Sequence, residues 1–268
     1  MSEEQTMDAT NEEEIIEPMP NFAAPGLQRA HNPSETDDDP RTRRRNAGRD
    51  SNKRLRDWIP RTRLGRMVLA GQVTTFEEAL ATRMPIREVE IIDALLPDLE
   101  EDIIKVNMVQ RMTDSGRRVR FNVMACIGNK DGYIGLAMAK GKEVAPTIHK
   151  AIDAAKLSII SIQRGNGSWE SSQGPGTSVP FKATGQAGST RVTLMPAAKG
   201  KGLVIGEFGK RVLTLAGVTD VLSRTKGQTR TTINYAQATF NALVEMNRTR
   251  ITDSQRARLY IHTGRLLE

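Results

Sequence analysis

The chain has 268 residues, with 39 Lys and Arg against 32 Asp and Glu, one cysteine, and aromatic side chains at 4% of positions. One cysteine excludes a disulfide framework within the chain, and no apolar stretch reaches the length of a membrane span, so we expect no membrane partner. The N-terminus lacks a secretion signal, which indicates a cytoplasmic protein. The few aromatic residues argue against binding single strands through stacked rings.

Charge is distributed unevenly along the chain. Residues 1–40, the acidic head, contain eleven acids and one base, whereas the remainder carries 38 bases and 21 acids, a net charge of +17. A segment so acidic and so poor in apolar periodicity cannot bury enough surface to fold, so it is predicted to be disordered. It either shields the basic body or serves as a solubilising tail. The basic body itself predicts a polyanionic partner.

Residues 41–84 are predicted to form a basic arm followed by a short helix. Residues 41–66 contain eleven bases and two acids around Trp58, which we expect to anchor the arm on a neighbouring element. Such an arm is typical of segments that follow phosphates, and the alternative is a flexible linker or a localisation signal. Helical patterns appear at residues 75–80 and again at 86–96, where an apolar stripe ends at Pro97.

Residues 85–163 read as a compact α-β-β-β-α domain. Strands are expected over residues 105–112, 117–127 and 133–139, and a helix follows. Asp114, Ser115 and Gly116 supply the turn chemistry of a hairpin between the first two strands. The second strand alternates, with hydrocarbon on one face (Val119, Phe121, Val123, Ala125 and Ile127) and polar groups on the other (Arg118, Arg120 and Asn122). This order of elements resembles the double-stranded RNA-binding module, which reads A-form geometry instead of sequence.

Two interpretations of this hairpin are open from its own residues. Neighbouring guanidinium groups on one face suit phosphate, because each presents a planar fork of donors. The alternative is a solvated sheet edge that charge keeps soluble. Lys140 and Lys142, which precede the next helix, add positive charge at a helix N-terminus already suited to phosphate. In that helix we expect an apolar inward face, while His149, Lys150, Asp153 and Lys156 face water.

A Gly- and Ser-rich hinge is predicted over residues 164–176, and residues 177–248 are predicted to form a second, two-layer α+β domain. Its strands are expected over residues 177–183, 190–195 and 218–224, with one helix ending at Ala216 and a last helix from Thr232. Residues 249–268 form a C-terminal tail. No His and Cys cluster has the spacing of a metal site, so we expect neither metal nor cofactor.

The loop Lys199-Gly200-Lys201-Gly202 leads into a helix and has the glycine pattern of a sugar-kinase phosphate loop. No G-x-x-x-x-G-K-[ST] run occurs, no hydroxyl follows Gly202 to hold magnesium, and no catalytic base stands near. The same loop geometry suits an RNA phosphate. A glycine-rich loop alone is a weak signal, so we expect no enzymatic activity.

Several motifs together identify a family. Residues 107–121, 128–136, 142–146 and 178–181, with further matches around 191–196, 215–221 and 239–243, resemble small-subunit ribosomal protein five in its archaeal form. The resemblance runs from about residue 86 to residue 246 and leaves out the acidic head and part of the arm. It implies a double-stranded-RNA-binding-like N-terminal domain, then an α+β domain of the kind shared with sugar kinases.

The resemblance also implies a function and partners. Members of the family are structural constituents of the small ribosomal subunit that bind its ribosomal RNA, touch small-subunit ribosomal proteins four and eight, and support translational accuracy and the region where messenger RNA enters. The residues expected to bind RNA are Arg111, Thr113, Asp114, Ser115, Gly116, Arg117, Arg118, Arg120, Lys130, Lys140, Lys142, Lys199, Lys201, Arg224, Lys226 and Arg230. The alternative function is a free double-stranded RNA binder or a nucleotide-dependent kinase, and saturable ATP binding would support the kinase.

Overall fold

A computed structural model describes residue 55, residues 58–170 and residues 176–265 of the chain. The predicted disordered acidic head, residues 1–40, and residues 41–54, 56 and 57 of the predicted basic arm lie outside these residues.

Between residues 58 and 99 the chain forms three short helices: α1 (Arg63–Leu69), α2 (Phe76–Ala81) and α3 (Val89–Leu95). Helix α1 was not expected inside the predicted arm. It forms because the Thr62 side chain caps it, accepting a hydrogen bond from the backbone N–H of Gly65, and because Leu64 is buried against the other helices. Trp58 is anchored as predicted, since its indole N–H donates to Glu88 over 2.8 Å.

The first sheet has four antiparallel strands in the order β1 (Glu100–Thr113), β2 (Gly116–Gly128), β3 (Tyr133–Gly141) and β4 (Ile160–Ser161). The predicted hairpin is therefore present, and β1 begins five residues earlier than expected. Helix α4 (Val144–Leu157) covers the face of β2 that carries Val123 and Ala125, where Ala151, Ile148 and Ile152 pack. This agrees with the alternation of the sequence, although Phe121, nearer the hairpin tip, is only half-buried.

Lys156 on α4 was expected to face water, and this prediction is wrong. Its side chain is buried, and its ammonium group lies 2.8 Å from an Asp93 carboxylate oxygen and 3.6 Å from a Glu101 carboxylate oxygen. A buried ammonium needs such partners, because an unpaired charge in an apolar interior is strongly unfavourable. Burial raises the pKa of Glu101, against the lowering effect of Lys156. The pair ties α4 to α3.

The second domain contains a sheet in the order β6 (Ala183–Ala187), β7 (Thr190–Pro196), β9 (Val221–Lys226) and β8 (Leu203–Val204), with helices α5 (Glu207–Ala216) and α6 (Thr232–Arg248). The strand predicted over residues 177–183 is wrong, because Ser178 makes only isolated bridges and pairing begins at Ala183. Pro180 interrupts the earlier run, since proline cannot donate to a strand ladder. The α+β class is as predicted.

The two domains share one core. Met124 and Cys126, on the β2 face that carries arginines nearer the tip, pack in the same cluster as Val212 and Leu213 of α5. This face of β2 is therefore polar near the hairpin tip and apolar at Met124 and Cys126, where the second domain covers it. Burial raises the pKa of the Cys126 thiol, which makes it an unreactive core residue.

Arg164 lies at the predicted boundary between the first domain and the hinge. It lies in β5 (Gln163–Arg164), which pairs with β10 (His262–Thr263) after the last helix, α7 (Asp253–Arg258). The guanidinium group is buried and donates to the Asp131 carboxylate over 2.7 Å and to the Gly264 carbonyl over 3.0 Å. The predicted hinge thus begins at an immobilised side chain. The domain boundaries themselves stay predictions.

Candidate nucleic-acid interface

Four cations lie on one face of the hairpin and of β3, and we name them the arginine strip: Arg111, Arg118, Arg120 and Lys140. Arg111 is directly opposite Arg118 in the β1–β2 register, and Asn122 is directly opposite Lys140 in the β2–β3 register. Residues paired in this way point to the same side of a sheet, and so do alternate residues along one strand. The strip is therefore set by backbone pairing.

All four side chains of the arginine strip are exposed. Among residues 58–170 and 176–265, no acidic side chain forms an ion pair with any of them. Like charges placed opposite one another repel, and this costs folding free energy. A surface of this kind gains free energy when a polyanion supplies the missing counter-charges.

The hairpin tip comprises residues 113–116 and continues the strip. Thr113 and Gly116 are paired in register, and the Thr113 hydroxyl donates to the Gly116 carbonyl over 2.8 Å. Gly116 has a φ of +119°, which favours glycine. Asp114 and Ser115 are exposed at the turn. A narrow turn in which three of the four residues, Thr113, Ser115 and Gly116, are small or hydroxylated allows the strip to approach a phosphate backbone closely.

Arg117 lies on the other face of the hairpin from the arginine strip. It is paired with Met112, and the same face carries Met108 and Phe121. Met108 and Met112 are 58% and 79% exposed. Arg117 and Arg118 therefore point to opposite sides of the hairpin, so a single phosphate cannot bind both in the same way.

Two further lysines that were predicted to bind RNA, Lys142 and Lys130, lie in different places relative to the arginine strip. Lys142 is exposed just before α4 and close in sequence to the strip. Lys130 lies at the opposite end of the sheet, in the β2–β3 loop, where its ammonium group is 2.8 Å from a Glu100 carboxylate oxygen. Its backbone N–H donates to Leu215 at the end of α5. Lys130 is thus part of the contact between domains and is not brought to the strip.

The glycine-rich loop before β8 is organised around Asp220. The backbone N–H of Gly202 donates to the Asp220 carboxylate over 2.9 Å. Burial alone would raise the pKa of Asp220, but hydrogen bonds from Gly202, Thr177 and Thr219 outweigh it and lower the pKa. Because the ionised Asp220 carboxylate accepts a hydrogen bond from the Gly202 N–H, that donor is unavailable to a phosphate. The side chains of Lys199 and Lys201 in this loop are exposed and can reach an anion.

A second set of cations lies on the outer face of the second sheet, and we name it the outer strip: Arg191, Arg224 and Lys226. Arg191 is directly opposite Lys226, and Arg224 is opposite Thr193. All three cations are exposed, while Val192 and Leu194 face the core. Arg224 and Lys226 are among the residues predicted to bind RNA, whereas Arg191 is not, although its alternation with Val192 and Leu194 is a usable signal. Arg230, also exposed, lies in the turn before α6.

Other kinds of site do not emerge from the described part of the chain. There, no group of three or more His, Cys, Asp and Glu side chains is arranged to hold a metal ion. None of the described helices combines the length and apolarity needed to cross a bilayer. Lys and Arg side chains clustered on one face are the electrostatic footprint of a nucleic-acid-binding surface.

Comparison with known proteins identifies the family. The model of the ribosomal protein S5 N-terminal domain matches residues 99–163, and that of the C-terminal domain matches residues 185–258. The small ribosomal subunit protein uS5 of Methanothermobacter thermautotrophicus is 52% identical over 202 residues, which are 75% of this chain and 94% of that protein. The uS5 protein of Methanospirillum hungatei is 53% identical over 195 residues, which are 73% of this chain and 95% of that protein. The uS5 protein of Methanocaldococcus jannaschii is 50% identical over 211 residues, which are 79% of this chain and 97% of that protein.

The chain therefore belongs to the ribosomal protein S5 family. The predicted family, its archaeal type and the two-domain α+β fold are confirmed. Because the family consists of structural ribosomal proteins, the chain is a ribosomal protein and not an enzyme. The kinase alternative is excluded.

Proposed function

We propose that this protein is a structural constituent of the small ribosomal subunit, in the cytoplasm, that binds ribosomal RNA through the arginine strip and the hairpin tip. The observation that carries the proposal is the register of the hairpin, which holds Arg111, Arg118 and Arg120 on one exposed face. Membership in the S5 family supports the ribosomal role.

The chemistry of the strip favours recognition of the RNA backbone. Each guanidinium group offers paired donors that match two phosphate oxygens, and charge-assisted hydrogen bonds of this kind are the strong ones. Double-stranded RNA is recognised mostly through phosphates, 2′-hydroxyls and shape. The outer strip, Arg230 and the exposed Lys199 and Lys201 provide further contacts to the same RNA from the second domain.

The proposal is tested by measuring the affinity of the full chain for transcribed small-subunit ribosomal RNA across salt concentrations. Each lost phosphate contact lowers the slope of log K against log salt by roughly 0.7–0.9. The variant Arg111→Gln, Arg118→Gln, Arg120→Gln should therefore bind more weakly and with a slope smaller by about 2–3. A charge-matched control, Lys150→Gln, Lys182→Gln, Arg258→Gln, alters exposed cations outside the strip. Equal losses in both variants would contradict the proposal.

We further propose the family's role in translational accuracy and in the region where messenger RNA enters, together with contacts to small-subunit ribosomal proteins four and eight. Support comes from the family resemblance of residues 107–121, which include the hairpin tip. Small subunits carrying Ser115→Ala and Asp114→Ala should misread near-cognate codons at an altered frequency. Unchanged misreading in subunits that contain the variant in full amount would contradict this role.

A further inference from the structure

The face of the hairpin opposite the arginine strip is largely apolar near the tip. We name it the methionine face, and it comprises Met108, Gln110, Met112, Arg117, Val119 and Phe121. The β1–β2 register pairs these residues across the two strands. Because cross-strand partners point to the same side of a sheet, the six side chains form one continuous surface.

The methionine face is progressively less covered towards the tip. Val123 and Ala125, farther along β2 on the same side, are buried against α4. Along β1 the exposed fraction rises from 39% at Val106 to 58% at Met108 and 79% at Met112. Apolar side chains that lie next to one another in water gain free energy when another molecule covers them, so this face is a candidate interaction surface.

Three observations favour RNA as the molecule that covers this face. The methionine face and the arginine strip are the two sides of one ribbon, so RNA bound to the strip passes close to both. Arg117 is the one charged residue among the six, and none of the six is acidic. The thioether of Met makes favourable contacts with aromatic rings, and nucleobases present their rings where they are not stacked.

We infer that the methionine face packs against unstacked nucleobases of the RNA whose phosphates bind the arginine strip. The inference rests on the proposed function, to which it adds the kind of RNA site. In a continuous duplex the base faces are covered by stacking, and a duplex on one side of the ribbon leaves the other side in water. The hairpin therefore fits a place where a duplex meets unpaired nucleotides, such as a junction or an internal loop. There Arg117 contacts a phosphate of the second RNA segment.

The first test removes the apolar contact without changing charge. The variant Met108→Gln, Met112→Gln should keep the melting temperature of the natural chain, because both side chains are exposed. Its affinity for transcribed small-subunit ribosomal RNA should fall about tenfold, which corresponds to the lost burial of about 55 Å² of apolar surface. The slope of log K against log salt should stay the same, since no phosphate contact is lost.

The matched control is Leu69→Gln, which alters an apolar side chain of α1 that is 63% exposed. This control should bind ribosomal RNA as the natural chain does. An unchanged affinity of the methionine variant, or an equal loss in the control, would overturn the inference.

A perfectly paired RNA duplex separates base contacts from a general loss of RNA binding. The natural chain and the methionine variant should bind the duplex with the same affinity, because its base faces are covered by stacking. A loss on the duplex as large as the loss on ribosomal RNA would overturn the inference.

Oxidation shows directly what covers the methionine face. Hydrogen peroxide converts exposed Met to the sulfoxide, which mass spectrometry detects. Met108 and Met112 should be oxidised rapidly in the free chain and slowly in its complex with ribosomal RNA alone. Protection that appears only after other small-subunit proteins are added would mean that a protein covers the face, and would overturn the inference.

Failure of the proposed function is recognised separately. If the Arg111→Gln, Arg118→Gln, Arg120→Gln variant binds ribosomal RNA as well as the natural chain, the proposed function fails. If that variant loses affinity and salt dependence while the methionine variant binds normally, the proposed function stands and the inference is overturned.

Discussion

Arg111 of β1 lies directly opposite Arg118 of β2, with both guanidinium groups exposed on the same face of the hairpin. Cross-strand side chains in such a pair have Cβ atoms about 4.5–5.5 Å apart, and like charges at this spacing destabilise the sheet. Arg191 and Lys226 repeat the arrangement in the second domain. In each domain, a sheet therefore retains a repulsive pair at a position where neutral side chains would favour folding.

Replacing Arg118 by Gln should separate stability from binding. Removing one member of a repulsive pair leaves the melting temperature unchanged or raises it slightly, while the loss of a charge-assisted contact weakens binding to ribosomal RNA. Calorimetry and RNA binding on the same preparation measure the two effects. A fall in melting temperature that parallels the loss of affinity would show that Arg118 has a structural role instead.

Arg164 should be essential for joining the first domain to the C-terminal tail. The change Arg164→Ala leaves the Asp131 carboxylate and the Gly264 carbonyl without their buried partner, so the free energy of unfolding should fall by about 3–5 kcal/mol. Arg265, whose side chain is 65% exposed, also approaches Asp131, at 3.7 Å. Arg265→Ala is the control, and urea denaturation should show that it lowers the free energy of unfolding by less than about 1 kcal/mol. Similar costs for the two variants would contradict this assignment.

The contact between Trp58 and Glu88 should be sensitive to acid. Burial alone would raise the pKa of Glu88, but hydrogen bonds from the Thr62 N–H and the Trp58 indole outweigh it, so the pKa lies below its ordinary value of 4.5. A carboxylate with a lowered pKa stabilises the fold above the unfolded value, and this contribution is lost as pH falls through the folded value. The segment around Trp58 should therefore loosen below about pH 4.5.

Trp58 fluorescence measures this transition in a Trp169→Phe background, because Trp169 is exposed and would obscure the signal. In the Glu88→Gln variant the acid-dependent step should be absent, since no carboxylate remains to titrate. An identical step in both proteins would mean that another group controls the segment.

Two glycines allow steric clash to be separated from backbone strain. Gly116 and Gly132 both have positive φ, of +119° and +95°. A Cβ on Gly116 would meet nothing within 4 Å, whereas a Cβ on Gly132 would collide with the Gly264 carbonyl. Gly132→Ala should therefore lower the free energy of unfolding by at least about 1 kcal/mol more than Gly116→Ala. Equal free energies of unfolding for the two variants, measured by urea denaturation, would show that the C-terminal tail at Gly264 moves away from residue 132 without a cost in stability.

Local patterns were sufficient to predict the hairpin and its faces. Period-two alternation from Arg118 to Ile127 and the turn at residues 114–116 define which side chains share a side, and the register of the structure follows. The same patterns could not show that Met124 and Cys126 meet α5, because that contact depends on how two domains pack. Nor could these patterns show that Phe121, nearer the hairpin tip, is only half-buried.

Errors occurred where long-range contacts override local preference. Lys156 has the periodicity of a solvent-facing residue, yet Asp93, 63 positions earlier, supplies a buried partner. Likewise, the Asp220 carboxylate occupies a glycine loop that by sequence alone suits phosphate. Neither partner is visible in the residues around the motif. The strand register shows which candidate residues share a face, and their binding of RNA stays a prediction.

The most direct test of the central claim is sedimentation of a native cell extract on a sucrose gradient, with and without ribonuclease, following the chain by mass spectrometry. We predict that the natural chain migrates with small ribosomal subunits and moves to the top of the gradient after ribonuclease. The Arg111→Gln, Arg118→Gln, Arg120→Gln variant should be depleted from the subunit fractions. Migration of the natural chain at the top of the gradient in both runs would contradict the account.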